Sequence, residues 1–265
     1  MDALGAGSTA ARLRIGTAGW SIPREAAEAV PGEGTHLQRY ARRFDAAEIN
    51  SSFHRPHRPS TYARWAASVP PHFRFSVKLP KTITHQHKLA GYGDLLGRFA
   101  DEVAGLGSNR GPTLVQLPPS LAFEPAVAAT FFTELAARLG PAIVCEPRHP
   151  SWFEEAAERL LRDHAVARVA ADPAVHPRAA EPGGWAGMAY FRLHGSPVIY
   201  RSSYDGTAIT RLHDAMAEAD TAAAECWAIF DNTASGAALP NALQLTESFG
   251  TDKDRIQGLG GNHLG

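Results

Sequence analysis

With 265 residues, 44% of them hydrophobic and 20% charged, the chain can bury a sizeable core, which excludes a disordered protein. Its 26 Lys and Arg against 27 Asp and Glu leave a net charge of −1, which argues against bulk coating of nucleic acid or adhesion to a membrane surface, since both favour a basic chain. The length suits one α/β barrel of about 250 residues or two small domains.

Residues 1–11 lack an apolar core of signal-peptide length, and no run approaches about 18 apolar residues, so the expectation is a cytoplasmic protein with no membrane span. Eight segments rich in β-branched or aromatic residues follow in order: 13–20, 46–54, 74–80, 113–118, 142–149, 166–172, 188–195 and 226–233. Successive starts lie 22 to 39 residues apart, too far for hairpins and suited to strand–helix–strand units. Between them, 60–69 and Pro125–Leu139 carry apolar residues at helical spacing. The stretch 151–164 adds Ser151 and Glu154 as a capping box. Segment 173–187 breaks the rhythm: it is rich in Pro and Gly, has no helical period, and predicts a loop. Cys145 and Cys226 sit in apolar surroundings and read as buried free thiols, and the lack of a disulfide framework points to a reducing compartment.

Eight strands alternating with helices leave a closed barrel or an open doubly wound sheet. No Gly-rich phosphate turn follows the first strand, so the prediction is a TIM-type (β/α)8 barrel, irregular between strands six and seven. The domain spans 12–248, with flexible ends at 1–11 and 249–265.

In such a barrel the site gathers at the carboxyl ends of the strands. Seven segments end in polar residues: Glu48 and Asn50, Lys78, Gln116, Glu146 and Arg148, Asp172, Arg192 and His194, then Asp231 and Asn232. Residues two apart share a face, so Glu48, Glu146 and Asp172 are expected to face Lys78, Arg148 and Arg192. A buried ion-pair network closing one barrel end is the structural alternative. The stretches His54-Arg-Pro-His-Arg58 and Lys81-Thr-Ile-Thr-His85-Gln-His87-Lys88 put a basic rim nearby, suited to a phosphate or carboxylate. His85-Gln-His87 alone is a weak metal signal, and cations beside Glu48, Glu146, Asp172 and His194 disfavour a metal there, so neither metal nor cofactor is expected. Trp20, at the end of strand one, can stack on a ligand, whereas Trp65 and Trp152 fall on helical patterns and read as packing. Tyr204 belongs to a loop, 196–206, that is the best lid candidate.

Eight stretches together resemble the YecE-like family, catalogued as domain-of-unknown-function group 72. They are Gly16-Thr-Ala-Gly-Trp20, Glu48-Ile-Asn-Ser-Ser-Phe53, Phe75-Ser-Val-Lys78, Ile83-Thr-His85, Leu114-Val-Gln-Leu-Pro118, Glu146-Pro-Arg-His-Pro-Ser-Trp152, Tyr190-Phe-Arg-Leu-His-Gly195 and Phe230-Asp-Asn-Thr233. The resemblance runs from residue 15 to about 245 and implies a TIM-type barrel. It strengthens Asn50, Lys78, His85, Glu146, Arg148, Arg192 and His194 as site residues. His54 stands where the family pattern carries Tyr, and the family brings no reaction.

The leading expectation is an enzyme that takes a small anionic molecule and works by acid/base chemistry. Lys78, Arg148 and Arg192 would hold the anion, Glu146 or Asp172 would be the base, and His194 the acid. Trp20, Glu48, Asn50, His85, Gln116, Tyr204 and Asn232 complete the candidate substrate contacts. Two alternatives stay open: a nucleic-acid or nucleotide-processing protein that meets phosphates with Arg55, Arg58, His85 and Lys88, and a non-catalytic binding protein whose strand-end charges are structural.

Overall fold

The computed structural model describes residues 12–220 and 222–260. Its strands are β1 (Arg12–Thr17), β2 (Ala46–Ile49), β3 (Arg74–Lys78), β4 (Arg110–Gln116), β5 (Ile143–Glu146), β6 (Val166–Arg168), β7 (Ala170–Asp172), β8 (Gly183–Gly184), β9 (Met188–Leu193) and β10 (Glu225–Phe230). Seven helices connect or flank them: α1 (His36–Tyr40), α2 (Pro59–Ala66), α3 (Leu95–Val103), α4 (Pro125–Leu139), α5 (Glu155–Asp163), α6 (Gly206–Asp220) and α7 (Ala238–Gly260). Every predicted strand segment contains a strand, and α4 has its predicted bounds. Pro125 occupies its first turn, where no amide donor is needed, and Gly140 stops it at φ 75°.

The hydrogen bonds draw two sheets where the sequence predicts one closed ring. One has the order β1-β10-β9-β7 and the other β2-β3-β4-β5-β6-β8. All pairings are parallel except the short β6–β8 one. The single predicted strand 166–172 is two strands, β6 and β7, lying in different sheets on either side of Val169. Val169 itself donates its amide to Cys145 O at 2.9 Å. On the opposite side β1 approaches β2 through one parallel bridge, Ala18 to Glu48, and Gly19 N donates to Glu48 O at 2.8 Å.

Gly16 permits that approach. A Cβ there would stand 2.2 Å from the Ala46 carbonyl oxygen and 3.0 Å from the Tyr40 hydroxyl, closer than any side chain tolerates. Tyr40 uses the space to tie the neighbours together, donating to Ala46 O at 3.0 Å and accepting from Thr17 N at 2.8 Å.

Two hydrophobic layers follow from the period-two alternation of the strands. Ala46, Leu114, Val144, Ala167, Val169, Met188, Tyr190, Trp227 and Ile229 form a cluster fed by both sheets. Residues of opposite parity pack outward against the helices, among them Phe75, Val115, Cys145 and Phe230 against Phe131, Leu135, Leu161 and Leu243.

Three local expectations need correction or completion. The Ser151–Glu154 capping box does not form: Ser151 Oγ instead accepts from Phe123 N at 2.8 Å and lies 2.8 Å from His149 Nδ1. Helix α5 begins at Glu155, with Glu154 as a cap that makes no side-chain bond. The expected loop 173–187 carries only a 3-10 turn, Pro177–Ala180, and the two-residue β8. Helix α7 continues to Gly260, past residue 249 where composition places the start of a tail. Residues 1–11 and 261–265, given as flexible ends, lie outside the described residues. Among the described residues, no helix is long and apolar enough to cross a membrane.

Candidate functional site

Alternation that buries Ala46 and Ala167 on the inner face carries on to the strand ends, where the inner positions turn polar. Glu48 and Asn50 follow Ala46; Ser76 and Lys78, Gln116, Glu146 and Arg148, Tyr190, Arg192 and His194, and Asp231 occupy the equivalent positions on the other strands. Glu48, Glu146, Arg192, His194, Asp231, Lys78 and Gln116 are all buried.

Arg192 is the centre of this layer, with no exposed surface. Its Nε and Nη2 grip the two oxygens of Glu48 at 2.9 and 2.7 Å. Nη1 donates to Glu146 Oε2 at 2.9 Å, and Nη2 also donates to Asp231 Oδ2 at 2.9 Å. A guanidinium serves three carboxylates here because its donors form a planar fork. His194 closes the ring, with Nε2 3.0 Å from Glu146 Oε1 and Nδ1 3.2 Å from Asp231 Oδ2. Glu146 Oε1 also accepts from Gln116 Nε2 at 3.0 Å and Arg148 Nη2 at 3.1 Å. Behind Arg192, the Tyr190 hydroxyl lies 3.1 Å from Glu48 Oε2 and 2.9 Å from Ser76 Oγ.

Charge states follow from these contacts. Burial pushes the Glu146 carboxyl up, but the His194, Arg192 and Arg148 charges outweigh it and hold its pKa well below the usual carboxylate range. Asp231 is likewise lowered, by Arg192 and His194 acting against burial. Burial lowers His194, yet Glu146 and Asp231 raise it on balance. Since both ring nitrogens face carboxylates, the imidazolium, which donates from both, is the form that fits.

Lys78 differs from all of these. Its side chain is buried, but among the described residues its ammonium has no hydrogen bond and no ion pair; its neighbour is the Phe53 ring, 4.2 Å from Nζ to centroid. Burial and the Arg192 charge lower its pKa to about 8, against the opposing pull of Glu48, Asp231 and Glu146. His85 stands at the other edge of Phe53, 5.0 Å between ring centroids. It is half-buried on a single π turn, Thr82–Gln86, and its Nδ1 lies 2.8 Å from Thr84 Oγ1. Burial, Lys78 and Arg148 lower its pKa, which keeps the imidazole neutral. Arg148 leaves 27% of its side chain exposed and spends only Nε and Nη2 on Glu146. Asn50 Oδ1 is shielded from solvent and accepts no hydrogen bond.

The structure therefore brings Glu48, Asn50, Lys78, His85, Gln116, Glu146, Arg148, Arg192 and His194 to one end of the inner layer. Four other candidates lie elsewhere. Asp172 has the wrong parity: it faces α6 with Ile209 and Leu212, and Asp231 takes the place foreseen for it. Tyr204 is buried, donating to Asp172 O at 3.1 Å and accepting from Gly195 N at 2.8 Å, so it braces the loop and covers nothing. The aromatic beside the charges is Tyr200, whose ring meets His194 edge-on at 5.9 Å. Asn232 points outward to Asn241 Oδ1 and Ser202 O, both at 2.9 Å. Trp20 packs edge-on against Trp65 and Phe75. Among the described residues no group of three or more His, Cys, Asp or Glu is arranged to hold a metal ion; Glu48, Glu146 and His194 spend their atoms on Arg192, Asp231 and each other.

Comparison with known proteins gives a consistent picture of the fold. The family model described as "Protein of unknown function DUF72" matches residues 14–261. The UPF0759 protein YecE of Escherichia coli (strain K12) is 30% identical over 166 residues, covering 60% of this chain and 59% of the relative. The chain thus matches about three fifths of the length of that curated relative. A crystal structure of a DUF72 family protein from Thermotoga maritima MSB8 superposes with a TM-score of 0.74 at 23% identity, over 90% of this chain and 99% of that one. One from Enterococcus faecalis V583 gives 0.74 at 20% identity, over 90% and 95%.

Proposed function

This chain belongs to the DUF72 family of proteins of unknown function, and we propose that it is an enzyme that acts on a small anionic substrate at the carboxyl ends of its strands. In this reading the two sheets are the arcs of a TIM-type (β/α)8 barrel, the architecture in which sites gather at that end, and the protein works in the cytoplasm.

One observation carries the proposal: the Lys78 side chain is buried, yet among the described residues its ammonium has no hydrogen bond and no ion pair, beside carboxylates already engaged by Arg192. A largely buried lysine placed only for stability would be neutralised by a carboxylate. Left without a partner, it suits an anion supplied from outside. Arg148, with its free Nη1 edge, is the second group that meets this anion.

Arg192, expected to hold the anion, has its donors engaged by Glu48, Glu146 and Asp231, so its role becomes positioning. Glu146 is a weak base for the same reason, and His194 keeps both N–H groups on carboxylates. Acid/base work then passes to Lys78, which exchanges a proton near neutral pH, and to neutral His85.

The test is a thermal-shift panel of phosphate- and carboxylate-bearing metabolites on the wild type and on Lys78→Ala/Arg148→Ala. At least one anion should raise the melting temperature of the wild type and fail to do so in the double variant. Equal shifts in both proteins, or none in the wild type, would remove the proposal.

A further inference from the structure

We propose that Lys78 is an amine nucleophile that condenses with the carbonyl of an aldehyde or ketone bearing a carboxylate or phosphate, forming an imine. The inference rests on the anion-binding reading above and names the substrate class.

Three features of the site carry it. First, Lys78 is freed from the partners that disable an amine. Glu48, Glu146 and Asp231 all lie close enough to act on its charge, yet each is spent on Arg192, and Glu146 and Asp231 also on His194. A lysine gripped by a carboxylate keeps its proton and its lone pair stays occupied; here Nζ lies over the Phe53 ring, 4.2 Å from its centroid. Second, the Arg192 charge lies close enough to act on Lys78, and a buried lysine near another positive charge is the arrangement that yields a nucleophilic amine near neutral pH. Third, two groups useful for the rest of the step lie nearby, since Lys78 and Arg148 both act on the His85 charge. Arg148 offers a donor edge for the substrate's anionic tail, and His85 carries a neutral imidazole.

The step balances without any further reagent. The neutral Nζ lone pair attacks the carbonyl carbon, and the C=O π pair moves to oxygen, which takes up a proton while nitrogen gives one away. The carbinolamine hydroxyl then leaves as water with a second proton, the nitrogen lone pair forming C=N. Overall, a protonated lysine and a carbonyl give a protonated imine and water. His85 is the group that carries these protons.

The experiment is borohydride trapping with pyruvate and, separately, with dihydroxyacetone phosphate, followed by peptide mass mapping. The sequence supplies its own controls, because the chain has only four lysines, Lys78, Lys81, Lys88 and Lys253. At neutral pH Lys78 carries on the order of a hundredfold more free amine than an ordinary lysine. A reduced adduct should therefore collect on Lys78 well ahead of exposed Lys81 and Lys88, and vanish in Lys78→Met. A pyruvate adduct assigns the carboxylate class, and a dihydroxyacetone phosphate adduct the phosphate class. An unmodified Lys78, or one modified no faster than Lys81 and Lys88, overturns the inference. Thermal shifts with inorganic phosphate and lactate, which have no reactive carbonyl, separate the two readings. Stabilisation by either without trapping refutes the imine and keeps the anion site, whereas neither shift nor trapping removes both.

Discussion

Replacing Lys78 by Met should make the protein more stable at neutral pH. Methionine has nearly the same length and flexibility, so the inner layer keeps its packing while the buried charge disappears. Lowering the lysine pKa from 10.5 to about 8 means that folding penalises the charged amine by about 3 kcal/mol, at about 1.4 kcal/mol per unit. The sign follows from linkage: between about pH 8 and pH 10.5 the unfolded chain binds more protons than the folded one, so wild-type stability rises with pH across that window. Below it the wild type bears the whole penalty, and above it none. Guanidinium chloride titrations of wild type and Lys78→Met, run in parallel from about pH 7 to about pH 10.5, isolate the term, because all other titrations are shared. The advantage of Met should be greatest near pH 7 and shrink by about 3 kcal/mol towards pH 10.5. A pH-independent difference, or a variant less stable at pH 7 than at pH 10.5 relative to wild type, would refute the claim that Lys78 is an unpaired buried cation.

Three further outcomes follow from the same geometry. Arg192→Leu takes from Glu48 its ion-pair partner and from Glu146 and Asp231 one of theirs and should cost about 3–5 kcal/mol or prevent folding; a denaturation midpoint close to wild type would contradict the network. In His194→Gln the loss should depend on pH. The folded His194 pKa is raised, so its stabilisation is complete below the usual value of about 6.5 and fades as pH rises through the folded value. Urea titrations should show wild type and variant converging over that range. Gly16→Ala forces a methyl onto the Ala46 carbonyl and should destabilise by about 1–3 kcal/mol, read as a fall in melting temperature with the helical circular dichroism signal intact.

Much of this architecture is legible in the amino-acid order, for reasons that also mark where legibility stops. Each strand has an apolar body bounded by polar ends, so the parallel α/β pattern and the polar strand ends are visible. Glu48, Glu146 and Arg192 fall on the inner face because alternation holds to the strand ends, and Asn50, Arg148 and His194 follow just past them, Asn50 already in helical conformation. Asp172 and Asp231 defeat the same logic. In 166–172 the only mid-strand polar residue is Arg168, whose outward partner, Glu158 on α5, is invisible from the local pattern; with Arg168 outward, Asp172 must be outward too. In 226–230 every residue is apolar, so alternation says nothing about which face Asp231 takes. The exchange of sheets at Val169 leaves no mark either, since valine suits both strands. The roles of Arg192 and Lys78 could not be separated from residue type alone: both are cations on inner positions, and only three-dimensional contacts show one saturated and the other bare.

The charged layer has a mechanical meaning as well. Arg192, His194 and Asp231 come from the sheet containing β9 and β10, whereas Glu48 and Glu146 come from the sheet containing β2 and β5. At their margins the sheets meet through the Ala18–Glu48 bridge with the Tyr40 tie beside it, and through the passage of the chain at Val169. The ion pairs therefore act as a rivet through the middle of the molecule, beside Lys78 and Arg148. Acid strong enough to protonate Glu146 and Asp231 would draw that rivet, and amide hydrogen exchange should then speed up first along the two margins, at Ala18–Gly19 and Val169, before it reaches the strand centres.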